Sequence, residues 1–256
     1  MSLYTHLRFN SHIGRQKPES IRNRYTQCPF CAREQLDADG ILAEQGPILL
    51  VKNKYPTLQD TFQTVLIETD ECESELSLYS KEHLYKLLRF GVEKWLEMDA
   101  TNDYKSVIFY KNHGPNSGGS IRHPHMQIVG LKHIDYREHV KEEHFEGVVI
   151  DRQDGVEFNL STKPRIGFFE FNVIFERNGP LERMADYVQT AAHYVLNHFH
   201  KDCNSYNLFF YQVGKMLAVK AVPRFVTTPL YVGFSIPQVS NRLEDVVKQV
   251  QDLYFK

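Results

Sequence analysis

Residues Asn112 to Leu131 read NHGPNSGGSIRHPHMQIVGL, a polar, glycine-rich loop that runs straight into an apolar strand. Alternate side chains of a strand share a face, so His123, His125 and Gln127 project together while Pro124 and Met126 point the other way. Two imidazoles and an amide on one short surface have little reason to exist in a core. Pro124 removes a ladder donor, which suits an edge or a locally broken sheet. The preceding Gly118-Gly119-Ser120 lets backbone amides approach an anion and adds a hydroxyl donor. Neutral imidazole is a good nucleophile near pH 7, and its phosphoramidate is a good donor, so the loop and strand together suit phosphoryl chemistry.

Working outward, Ser106–Lys111 (SVIFYK) is a strand. Before it, Leu84, Leu87, Leu88, Val92, Trp95 and Leu96 recur at helical spacing over Ser80–Asp99, with Ser80 as N-cap. Gly46–Asn53 and Thr61–Thr69 read as strands. The second half repeats the order: a strand at Ile166–Phe175, a helix at Leu181–Phe199, strands at Tyr206–Val213 and Met216–Val222, and a last helix over Arg242–Tyr254. This is a duplication by architecture rather than by visible identity. Strands cluster as hairpins with helices between clusters, which predicts an α+β fold with an antiparallel sheet. The expected division is 1–140 and 141–256.

Composition sets the outer bounds. At 256 residues and 42% apolar, the chain can bury a large core. A formal net charge of −2 argues against a nucleic-acid binder relying on bulk positive charge, and a single Cys-x-x-Cys without a basic stripe argues against a zinc-ribbon reader. No run of about eighteen apolar residues stands in the sequence, so no membrane helix is expected. The first seventeen residues mix apolar and basic side chains and do not read as a signal peptide. Four cysteines are too few for a disulfide scaffold, and a cytoplasmic protein is expected. Cys28-Pro-Phe-Cys31 fits half a zinc site, a redox pair or chance.

His123-Pro-His-x-Gln127, preceded by Asn112-x-Gly114 and the Gly/Ser loop, resembles the active-site motif of galactose-1-phosphate uridylyltransferases and ADP-glucose phosphorylases, a branch of the histidine-triad superfamily. The resemblance implies a histidine-triad-like antiparallel sheet with helices, in two degenerate repeats, the zinc site and the motif lying in the first. It implies that His125 is the nucleophile, that Gln127 holds the phosphoryl group, and that Ser120 and Asn112 contact phosphate oxygens or orient the loop, with Gly119 beside them. It further implies a structural Zn²⁺ held by Cys28, Cys31, Cys72 and His123, with Cys72 standing where relatives carry histidine. Asn53, in Asn53-Lys-Tyr-Pro56, is the candidate for the ribose, and Phe30 for the base. Arg15, Lys17, Arg22 and Arg24 are candidates to face the phosphates.

The expected substrate is a nucleotide or nucleotide sugar, with phosphate or a sugar phosphate as acceptor. Histidine-triad hydrolases place a third histidine where Gln127 stands; glutamine supplies no titrating proton, which leans towards an acceptor that is already anionic. At the sugar end, Val232-Gly233-Phe234-Ser235 resembles the family's Val-Gly-Tyr-Glu, so two hexose-binding polar groups are replaced. A nucleotide hydrolase and a non-catalytic nucleotide-binding module remain alternatives, and the resemblance leaves room for a homodimer. Cys203, His113, His133, His139, His144, His193, His198 and His200 receive no role.

Overall fold

A computed structural model describes residues 6–36 and 40–256; residues 1–5, the start of the mixed N-terminal stretch, and 37–39 lie outside that description. The described residues form one antiparallel sheet of ten strands. In chain order these are β1 (Ile41–Gln45), β2 (Ile48–Lys52), β3 (Thr61–Ile67), β4 (Ser106–His113), β5 (His125–Leu131), β6 (Gly147–Gln153), β7 (Val156–Ser161), β8 (Phe171–Glu176), β9 (Tyr206–Val213) and β10 (Met216–Pro223). Their order across the sheet is β1-β2-β3-β5-β4-β9-β10-β8-β7-β6. Read inward from each edge, 1-2-3-5-4 meets 6-7-8-10-9. The two halves therefore repeat one topology and join where β4 pairs with β9.

Helices cover one face. A short α1 (Ser11–Gln16) precedes the sheet. α2 (Lys81–Ala100) and α3 (Leu181–Tyr194) each link the third and fourth strands of a half, α4 (Pro229–Phe234) is short, and α5 (Leu243–Tyr254) closes the chain. Ser80 caps α2 by accepting from the His83 amide. The apolar stripe of α2 buries Leu84, Leu87, Leu88, Val92 and Trp95 in one core with Leu66, Phe109, Met126 and Ile128 of the first half and Phe171, Val173, Leu208 and Val219 of the second. The Trp95 indole N–H donates to the Val107 carbonyl at 2.9 Å, so the largest buried side chain is also satisfied.

The opposite face carries His125 and Gln127. Register places Val65, Gln127, Tyr110, Phe209, Lys220, Asn172 and Asn159 side by side on β3, β5, β4, β9, β10, β8 and β7. Over the first half of this face lies the N-terminal segment, with Cys28 and Phe30 packed on Leu49, Val51, Val65 and Ile67. Over the second half lie two 3₁₀ turns, Tyr136–His139 and Glu142–Phe145, which bury Phe145. Residues 133–147, charged enough to read as a merely solvated stretch, thus form a lid.

Several boundaries move from their expected places. β5 starts at His125, because Pro124 has no N–H to give. β8 starts at Phe171, because the Glu170 carboxylate turns in and accepts the amides of Arg165 and Ile166, holding 165–170 as a loop. The regular helix ends at Tyr194 and continues as a π turn, Val195–Phe199. β1, β6 and β7 carry no expectation from the sequence; β1 and β6 are the sheet's edges and alternate too weakly to announce themselves.

Candidate active site and metal cluster

The site begins at the end of β3. His125 pairs with Ile67 in register, and its ring is buried against Phe30, 5.5 Å between centroids. Its Nδ1 lies 2.7 Å from the His123 carbonyl. A carbonyl only accepts, so the proton sits on Nδ1 and the lone pair on Nε2. Burial, and then the nearby Lys111, His123 and Lys17 charges, lower the His125 pKa to about 4 against a backbone hydrogen bond that raises it. The imidazole is neutral at physiological pH. Gln127, half-buried, follows on the same face.

Immediately before β5, His123 is fully buried and turned by its own hydrogen bond. Its Nε2 meets the Thr69 carbonyl at 2.8 Å, so that nitrogen carries the proton and Nδ1 is the free donor. Nδ1 lies 3.6 Å from Cys28 Sγ and 3.7 Å from Cys31 Sγ. Cys72, in the turn after β3, completes a set of four ligand atoms within 4.8 Å of one another. Three sulfurs and a neutral imidazole nitrogen are a donor set that zinc prefers, and the 3.6 and 3.7 Å from Nδ1 to the two sulfurs suit tetrahedral Zn–S and Zn–N bonds of about 2.3 and 2.0 Å. The Phe30 amide donates to Cys28 Sγ, 3.4 Å away, a bond of the kind that steadies a ligating sulfur. Burial and the neighbouring thiols push Cys31 up to about 12. The cluster can hold a metal ion.

The loop between β4 and β5 is held from both halves. Gly114 has φ +83°, and a Cβ there would stand 2.1 Å from the Asn204 carbonyl and 2.5 Å from Ser205 Oγ, so only glycine allows this approach. The Asn116 amide donates to Ser205 Oγ at 3.0 Å. Gly119 packs against the Asn112 side chain, and its N–H donates to Ser117 Oγ at 3.2 Å. That glycine therefore closes the loop on itself rather than offering its amide. The Ser120 carbonyl accepts from the Ser20 amide at 2.8 Å, tying the N-terminal segment to the loop.

The remaining expected residues fall as follows. Asn53 Oδ1 accepts the Tyr55 amide at 2.8 Å, a local turn bond that uses its acceptor. Lys17 is half-buried and near enough to His125 to act on its charge, and burial lowers the Lys17 pKa. Arg22 donates to the Pro115 carbonyl at 3.2 Å, while Arg15 and Arg24 are exposed. Val232 and Phe234 stand out on the surface with α4. Cys203 is a buried free thiol. A cavity of about 590 Å³, lined by Phe168, Phe199, Phe225 and Arg242 among others, lies in the second half and does not include His125.

Sequence reasoning missed the polar support behind the site. Lys111 and Glu68 form an ion pair on the helix face of β4 and β3, both side chains about fully buried, with the Tyr79 hydroxyl donating to Glu68 at 3.0 Å. The signal was there: each charge interrupts an apolar run. Asn207 of β9 also reaches the loop, donating to the Ser117 carbonyl and to Asn112, and Arg224, the residue after β10, bonds Asn207 from behind; nothing but topology could have brought them there.

Family models described as the N-terminal and C-terminal domains of a domain of unknown function, DUF4931, match residues 9–134 and 137–255. A DUF4931 family protein from Bacillus cereus ATCC 10987 is 50% identical, with a TM-score of 0.77 over 84% of this chain and 100% of that one. An ADP-glucose phosphorylase from Arabidopsis thaliana, solved with bound ADP-glucose, is 16% identical, with a TM-score of 0.70 over 90% of each chain. A GalT-like protein from Arabidopsis thaliana is 17% identical, with a TM-score of 0.69 over 96% of this chain and 98% of that one. No curated protein sequence matches. The chain shares its fold with the ADP-glucose phosphorylase and the GalT-like protein. No helix among the described residues is long and apolar enough to cross a membrane.

Proposed function

This chain belongs to the DUF4931 family, and from that premise we propose that it is a nucleotidyltransferase or phosphorylase working through a nucleotidyl-His125 intermediate. The observation that carries the reading is the Nδ1 contact to the His123 carbonyl, which leaves Nε2 of a neutral, buried imidazole as the nucleophile. Nε2 attacks the α-phosphorus of a nucleotide. The bond from phosphorus to the leaving phosphate or phosphate ester breaks, and its electron pair leaves on that oxygen. A phosphate or sugar phosphate then attacks the phosphorus, and the P–N bond returns its pair to Nε2. Gln127, Asn112 and Ser120 donate to the phosphoryl oxygens, and the Lys17 ammonium offsets their charge. Gln127 carries no titrating proton, so an anionic acceptor is preferred over water.

Asn53 serves the ribose through its amide N–H, and Phe30, edge-on to both imidazoles, borders the base. The exposed Phe234 and Ser235 lack the groups a hexose needs, so the rest of the substrate differs from galactose. Cys28, Cys31, Cys72 and His123 would hold Zn²⁺ as a structural ion: four protein ligands would leave no open position for substrate, and their joint ligation would pin the N-terminal segment beside His125. Free thiols suit a reducing compartment, and we place the protein in the cytoplasm.

The test is the intact mass after brief incubation with nucleoside diphosphate sugars, dinucleoside polyphosphates and adenylyl sulfate. A gain of one nucleoside monophosphate, absent in His125→Ala, is expected and names the base. Binding without any covalent adduct points instead to the non-catalytic module. An adduct that decays in water as fast as in phosphate points to the hydrolase.

A further inference from the structure

Asn207 lies in the second half, yet its side chain is the hub of the first half's loop. It is buried, 1% exposed, and its Nδ2 reaches Asn112 Oδ1 at 2.7 Å, the Ser117 carbonyl at 3.0 Å and the Lys111 carbonyl at 3.4 Å. Its Oδ1 accepts from Arg224 Nη1 at 2.7 Å. Two backbone carbonyls can only accept and a guanidinium can only donate. The amide of Asn207 therefore has one permitted orientation, set from both ends. Its NH₂ must face Asn112, and Asn112 must answer with oxygen. That leaves the Asn112 NH₂ pointing away from Asn207, on the face it shares with His125, one register step beyond the Lys111–Met126 pair.

Arg224 is free to act as the source of this polarity. It follows Pro223 at the end of β10, its own amide is fixed to the Ser205 carbonyl at 2.8 Å, and it has no carboxylate partner among the described residues. A guanidinium carries only N–H donors and no acceptor, so the direction it imposes does not reverse.

We propose that Arg224 and Asn207 are positioning residues that force the Asn112 side chain to present its NH₂, and so a donor, to an anionic phosphoryl group beside His125. This rests on the nucleotidyl-transfer reading for the identity of the anion. The second half, whose matching strand β10 opens on Met216 where β5 opens on His125, supplies the first half with a fixed hydrogen-bond direction. A relay of two amides delivers to the site the donor-only character of an arginine that does not itself touch the reacting atoms.

The relay is read without turnover, by titrating inorganic pyrophosphate into ¹⁵N-labelled full-length protein and following the Asn112 side-chain NH₂ cross-peaks. In the wild type these peaks move on saturation. Asn112→Asp keeps an oxygen for Asn207 and replaces the outward donor by an acceptor; pyrophosphate affinity falls by about tenfold, with the thermal midpoint unchanged. Arg224→Met moves the free-state cross-peaks of Asn207 and Asn112 and weakens pyrophosphate by about fivefold, and Arg224→Lys restores most of the loss. Pyrophosphate affinity within twofold of wild type in Asn112→Asp, or unmoved Asn112 peaks in Arg224→Met, overturns the proposal. Should no nucleotide label His125 while these shifts occur, the relay stands and the covalent reading falls. Should labelling occur with these variants silent, the reverse holds.

Discussion

The two halves share a strand order and differ in what closes the face opposite the helices. In the first half, β5 opens on His125, paired with Ile67 at the end of β3; in the second, β10 opens on Met216, paired with Glu176 at the end of β8. In the first, a cover segment is gathered by three thiols and His123, and Gln127 stands between Val65 and Tyr110 in the row beside it. In the second, Lys220 is drawn down instead. Its ammonium lies 2.9 Å from Glu170 and donates to Asn172 Oδ1 at 2.7 Å and to the His144 carbonyl at 2.8 Å, while Asn159 and Asn172 both donate to the Phe145 carbonyl. One half gathers its cover around thiols and an imidazole, and the other bonds its strand polar groups to its own cover. Topology is common property, and chemistry depends on whether the lid is bonded to the strands or beside them.

Four outcomes would break or sharpen that contrast. The largest concerns the matched strand starts. His125→Ala abolishes the covalent adduct, a fall of about a thousandfold or more in its rate, whereas Met216→Ala leaves it within twofold, as read by intact mass. An equal loss in both would erase the distinction between the halves. Next comes the metal. Elemental analysis is expected to find one zinc per chain, and chelation to expose residues 6–36 to protease while the second half stays protected, since small zinc domains draw about 10 kcal/mol or more from their ion. Cleavage spread evenly over both halves would count against it.

The third outcome tests the closed half. Lys220→Met leaves Glu170 buried without its cation and costs about 3–5 kcal/mol in denaturant unfolding, while Lys220→Met with Glu170→Leu recovers most of it. His125 labelling at a temperature where the variant is folded stays unchanged. The smallest concerns the two long helices. Ser80→Ala removes the side-chain cap of α2 and costs about 1 kcal/mol. Pro180, at the matching place before α3, has no cap bond to lose, so Pro180→Ala moves the midpoint by less.

How much of this was legible follows from where the signal sits. The core strands of each half are apolar runs that no helix period fits, and Ser80 with its leucine stripe announces α2 unaided. His123, His125 and the Cys pair could be named because their spacing is local: two residues on a strand, three in a turn. Cys72 came only through resemblance, and the structure brings its sulfur to the cluster. The edge strands stayed hidden because half of each faces solvent and offers little alternation. Asn207 and Arg224 stayed hidden for a different reason. Their partners lie 95 and 17 residues away in the chain, and an asparagine in an apolar strand reads as tolerated polarity until the β4–β9 register places it opposite Asn112. Lys111 and Lys220 looked like interruptions, and each is the cation of a buried pair.

The junction at the middle of the sheet also sets a schedule for synthesis. In the first half β1, β2 and β3 pair in chain order and β5 inserts between β3 and β4 soon after β4 is made, but β4 must wait for β9, which begins at Tyr206. At about 5–20 residues per second, the Phe109 edge stands open for roughly five to twenty seconds after it emerges. Such an edge is a template for any other extended chain nearby. The nascent protein is at its most vulnerable to a neighbouring copy in that interval, with its first half nearly complete and its partner strand not yet made.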